Sequence, residues 1–147
     1  MNEELPMQDL PQVSIVRLSM MRAMYLVLAL GIGLTMWPTV ITHDLSMPRM
    51  TGVAVAMLGT IGLLSLIGLR YPLQMIPLLL FELTWKLIWL GFFAWPLWLE
   101  GRLDDATRTT VFETSLGLVL LLVIPWRYVY IHYVRKPAEP WRPAARQ

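Results

Sequence analysis

Four long apolar runs, separated by short polar breaks, organise the chain. Residues 23–42 lie between Arg22 and the His43 and Asp44 pair, and residues 50–69 lie between Arg49 and Arg70. Neither run carries a formal charge. An α-helix rises about 1.5 Å per residue, so about 20 apolar residues cross the hydrocarbon core of a bilayer. The third run, residues 71–99, is longer than a crossing needs and holds Glu82 and Lys86. It must tilt, or begin outside the core with the proline-marked YPLQMIP, which places the span at 73–99. The fourth, residues 111–134, is cleanly apolar only from Thr114 to Trp126 and then meets Arg127. Unpaired backbone is costly in lipid, so each run is expected to be a helix. The connections are short, so successive helices should pack in opposite directions. The pattern predicts an all-α, polytopic membrane protein, an antiparallel four-transmembrane-helix bundle over residues 23–134. A segment of residues 1–22 precedes it and a basic tail of residues 135–147 follows.

Composition supports a membrane class. Of 147 residues, 56% are hydrophobic and 15% charged, richer in apolar groups than a soluble domain usually is. The N-terminal stretch is acidic at its start, holds two prolines and has no small-residue cleavage site after a compact apolar core, so the first helix should act as an uncleaved insertion signal.

Charge sets the expected orientation. Arg17, Arg22, Arg70, Arg127, Arg135, Lys136, Arg142 and Arg146 would share one side of the membrane, while Arg49, Arg102 and Arg108 would share the other beside Glu100, Asp104, Asp105 and Glu113. The positive-inside rule then puts both termini in the cytoplasm. Trp37, Trp95, Trp98, Trp126, Tyr128 and Tyr130 fall near the span ends, as interfacial aromatic residues do. A net charge of +2, carried mostly by the tail, argues against a nucleic-acid partner.

The stretch FELTWKLIW, residues 81–89, raises the chemical question, because Glu82 and Lys86 fall near mid-membrane. Spaced i, i+4 with the acid first, they share a helix face in the favourable order for an ion pair. A lone charge at the centre of a membrane helix costs about 2.5 to 3.5 kcal/mol, so the pair should face the interior of the bundle. Two roles follow. One is an internal salt bridge that fixes the third helix; the other is a polar site for a proton, an ion or a headgroup-bearing molecule. Arg127, on the fourth run, is a competing partner for Glu82 and would leave Lys86 unpaired. By itself Arg127 is expected to reach toward headgroups.

Other chemistry is thin. There is no cysteine, which removes disulfides, thiolate metal sites, iron–sulfur clusters and cysteine nucleophiles. His43 and His132 belong to opposite sides of the membrane, so they cannot ligate one haem iron within a subunit. His43 reads as a helix terminator and His132 as an interfacial side chain. Asp104 and Asp105 form an acidic outer loop that is expected to be solvated. No phosphate loop, nucleophile elbow or paired-histidine metal helix is present. No cofactor is expected. Gly52, Ala56, Gly59 and Gly62 make a small-residue stripe on the second helix, suited to close helix packing inside the chain or to a homodimer face.

The segments GLRYPLQMIPLLLFELTWKLIWL and VIPWRYVYIHYV, with the acidic loop between them, resemble uncharacterised four-helix inner-membrane proteins of bacteria. With Arg70 and Pro72 at the turn between the second and third helices, the plan is also loosely similar to DoxX-like proteins. The resemblance implies a multi-pass bacterial inner-membrane protein and brings no functional residue with it. A redox role of the kind proposed for DoxX-like proteins finds no cysteines or haem-ligand pair here. The leading expectation is a non-enzymatic small subunit, scaffold or partner-binding module in the lipid bilayer, working with a membrane-protein partner or a second copy. The alternative is a binder or carrier of a small amphipathic molecule, a quinone or a lipid, using Glu82 and Lys86. A membrane enzyme ranks last.

Overall fold

The structure is a computed structural model, and it describes residues 13–42 and 45–137. The described residues are helical, with no strand among them. Helix α1 is Ile15–Thr42 and α2 is Arg49–Arg70. Helix α3, Ile76–Leu99, contains a π-wound turn at Leu90–Ala94. Helix α4, Asp105–Val123, tightens to a 3₁₀ turn at Gly117–Val119. Helix α5, residues 126–135, begins as an α-turn and ends π-wound over Tyr130–Arg135. The first four are long and apolar enough to cross a membrane.

Prolines set most of the boundaries. Pro48 precedes α2 and Pro72 follows it, and Pro77 sits in the first turn of α3, where a missing N–H costs nothing. The π turn of α3 ends just before Pro96, at the start of the resumed α-turn. Asp104 caps α4, its carboxylate accepting from the Thr107 N–H at 2.7 Å.

The helices differ from the expected spans at three places. Helix α1 starts at Ile15 rather than near Ala23, so Arg17 and Arg22 lie inside it. Helix α3 starts at Ile76, with residues 72–75 forming a turn. The fourth run, expected at 111–134, starts earlier, at Asp105, and breaks at Ile124 and Pro125. Ile124 precedes a proline and is pushed into extended backbone, with ψ of 126°. Pro125 has no N–H to give the Leu121 carbonyl, and the Trp126 indole donates to it instead at 2.7 Å. The Arg17 guanidinium, from α1, donates to the Leu122 carbonyl at 3.3 Å. Two carbonyls released by the break thus keep donors. The expected terminal segments 1–22 and 135–147 fall largely on residues 1–12 and 138–147, which lie outside the described residues, as do His43 and Asp44.

Four helices share one core. Met21, Tyr25 and Leu28 of α1 meet Ile61 of α2, Leu79 and Leu83 of α3, and Leu120 and Val123 of α4. Helices α1 and α2 approach most closely through glycine. A Cβ on Gly62 would stand 3.0 Å from the Gly33 backbone, and one on Gly68 would overlap the Tyr25 ring. Gly59 faces Met36 and Val40, so residue numbers run in opposite directions along the two helices. The Tyr25 ring lies on Gly68 and its hydroxyl donates to the Pro72 carbonyl at 3.0 Å. One side chain therefore ties α1 to the turn between α2 and α3.

The small-residue stripe is shifted from its expected place. Gly59, Gly62, Ser65 and Gly68 are the buried small residues of α2, whereas Ala56 is exposed and Gly52 has nothing within 4 Å of a would-be Cβ. Large apolar side chains outside this core, among them Val27, Leu34, Leu66, Phe92, Phe112 and Leu122, point outward and are exposed.

Candidate functional site

Glu82 and Lys86 lie one turn apart on the face of α3 that also carries the core residues Leu79 and Leu83. Glu82 is fully buried and Lys86 is 9% exposed. The Lys86 ammonium stands 2.7 Å from Glu82 Oε1. The Trp85 indole N–H donates to Oε2 at 2.6 Å. The same ammonium lies 4.0 Å from the centre of the Trp85 ring. Three positions of one helical face, spaced i, i+3 and i+4, thus engage the carboxylate from within a single helix, Oε2 by a hydrogen bond and Oε1 by charge, without a hydrogen bond of its own. An ion pair alone would leave half of the carboxylate bare, and the indole supplies the missing donor. The ring adds a cation–π contact to the ammonium.

Helix α4 closes the site. A Cβ on Gly117 would overlap Cδ and Cε of Lys86, so the lysine stem lies directly against the α4 backbone, in the 3₁₀ turn. Ser65 and Thr114 are the other buried polar residues among the described residues, and the Ser65 hydroxyl donates to the Ile61 carbonyl of its own helix.

Arg127 is exposed and forms no salt bridge among the described residues; Glu82 turns to Lys86 rather than to Arg127. His132 is half-buried in α5, stacked on Tyr128 at 5.2 Å and meeting Tyr133 edge-on at 5.0 Å, with Nδ1 buried and without a hydrogen-bond partner. Glu100 pairs with Arg102 at 3.0 Å, both exposed. Asp104 is held below the ordinary carboxylate value by its hydrogen bonds from Thr107. Among the described residues no group of three His, Asp or Glu side chains is placed to hold a metal ion.

Trp85 and Gly117 belong to this site and the pattern of charges alone does not mark them. Trp85 carried a signal, since a tryptophan three residues after a buried acid shares its helical face. Gly117 carried none, because its role rests on a contact between two helices far apart in sequence. Beside the site, Ala54, Met57, Leu58, Ile61, Phe81 and Trp85 line an apolar groove of about 200 Å³ between α2 and α3.

No protein family model, curated protein or solved structure matches this chain. Its function is therefore read from its own residues.

Proposed function

We propose that this chain is a non-enzymatic, multi-pass protein of a bacterial inner membrane that serves as a small scaffold or partner-binding subunit. Its four long helices form an antiparallel bundle in the bilayer, with both terminal segments in the cytoplasm. The observation that carries this reading is the self-sufficiency of the buried charges. Both oxygens of Glu82 are engaged by Lys86 and Trp85 of the same helix, and Gly117 brings α4 over the lysine stem. The two charges neutralise one another within α3, and the lysine stem, packed on Gly117, sets α3 against α4. The outward-facing apolar side chains and the excess of arginine and lysine on the terminal side support insertion and orientation.

The second reading, a binder of a quinone or lipid, draws on the groove against Trp85, whose indole touches the Glu82 carboxylate. Native mass spectrometry of the protein released from lipid nanodiscs separates the two. The subunit reading predicts a monomer, a homo-oligomer or a co-purifying membrane protein with no adduct that depends on Glu82 or Lys86, so Glu82→Gln shows the same species. A small-molecule adduct present in the wild type and lost in Glu82→Gln and Lys86→Met would overturn it in favour of the carrier.

A further inference from the structure

The end of the α1 and α2 pair opposite the shared core is open. At Gly59 the two helices touch, through Val40 at 3.7 Å and Met36 at 3.9 Å from a would-be Cβ, whereas at Gly52, two turns toward the start of α2, nothing lies within 4 Å. Between them is a cleft of about 340 Å³ whose walls include Thr39 and Val40 of α1 and Gly52, Val55 and Ala56 of α2, with Arg49 at its edge. That volume is at the lower end of ligand-sized clefts, roughly 300 to 1,000 Å³. Arg49 is exposed and has no carboxylate partner among the described residues. An apolar slot ending at a guanidinium with no carboxylate partner among the described residues is complementary to one kind of molecule, an apolar chain with an anionic head.

We infer that this cleft seats an anionic glycerophospholipid of the surrounding bilayer. The phosphate meets the Arg49 guanidinium, which presents paired N–H donors matched to phosphate oxygens. One acyl chain lies in the slot that the small side chains Gly52 and Ala56 leave open beside Val40 and Val55. A second copy of the chain fits this face poorly, since a two-fold contact centred on it would bring two Arg49 side chains together. The inference rests on the membrane reading above. It concerns a site separate from Glu82 and Lys86, near the α1 to α2 connection.

The test uses the full chain in nanodiscs of equal phosphatidylglycerol and phosphatidylcholine, with retained lipid counted by native mass spectrometry after release. The expected result is one retained phosphatidylglycerol in preference to phosphatidylcholine. Arg49→Gln should cut that preference about fivefold, and Arg49→Lys should keep most of it. Ala56→Phe, which fills the slot from an exposed position, should reduce retention of both lipids, and Glu82→Gln should leave it unchanged. Retention unaltered by both Arg49→Gln and Ala56→Phe overturns the inference, as does insertion with no preference for phosphatidylglycerol, and in either case the membrane reading stands. A chain that stays in solution and does not enter nanodiscs overturns both.

Discussion

Lys86 lies against the backbone of Gly117, so closely that a single methyl group on the glycine would occupy the space of the lysine Cδ and Cε. The contact joins α3 to α4 at the level of the buried ion pair. Gly117 has φ of −67°, which any residue can adopt, so backbone geometry does not require glycine there. Space does. In an unobstructed helix Gly→Ala stabilises by about 0.4 to 1 kcal/mol. Gly117→Ala is expected to reverse that sign and destabilise by about 1 to 3 kcal/mol through overpacking. Thermal unfolding in mild detergent measures it, and in a double-mutant cycle Gly117→Ala should cost less in a Lys86→Ala background than in the wild type, because the stem it meets is gone.

Tyr25 makes the corresponding tie at the other pair of helices. Tyr25→Phe keeps the ring on Gly68 and removes the hydrogen bond to the Pro72 carbonyl, for an expected loss of about 1 kcal/mol. Gly68→Ala displaces the ring itself and should cost more. The order of the two melting temperatures checks the assignment.

Arg17 matters through a carbonyl rather than a carboxylate. Removing its guanidinium in Arg17→Met leaves the Leu122 carbonyl at the proline break without that donor. The expected cost is about 1 kcal/mol. Hydrogen exchange should rise in residues 120–126 before it rises in α2, and uniform protection across both would contradict the assignment.

Asp104 gives the pH dependence of the start of α4. Its folded pKa is depressed, chiefly by the hydrogen bonds from Thr107. Its capping contribution is therefore complete above the unfolded carboxylate value of about 3.9 and fades as pH falls through the lower folded value. Between pH 5 and 8 the cap should be constant. Amide exchange at Thr107, followed from pH 6 to pH 3 in the wild type and in Asp104→Asn, should show the acid-side loss of protection in the wild type alone.

The helices were legible in the sequence because apolar runs of membrane length admit little else, and the proline-marked YPLQMIP showed that the third begins late. The pairing of Glu82 with Lys86 was legible because both partners lie one turn apart on the same helix. What the runs concealed was tertiary. An apolar stretch continued past Pro125, and only the local backbone shows that the helix stops there. The small residues of α2 formed a continuous series, and which of them meet α1 depended on where Tyr25 and Gly33 lie. Gly117 looked like any membrane-helix glycine, and its partner is on another helix.

The central claim is that Glu82 and Lys86 serve each other, and a double-mutant cycle tests it most directly. It is best run in a Trp85→Phe background, so that no indole N–H is left without its carboxylate. Unfolding free energies in detergent are then compared for Glu82→Leu, Lys86→Leu and the double variant. Each single change leaves one charge buried and unpaired, with an expected loss of about 3 to 5 kcal/mol. The double change should restore the stability of the background or exceed it, with the chain still folded and inserted. A double variant whose loss equals the sum of the two singles would contradict the account, because it would mean that each charge answers to a partner other than the other.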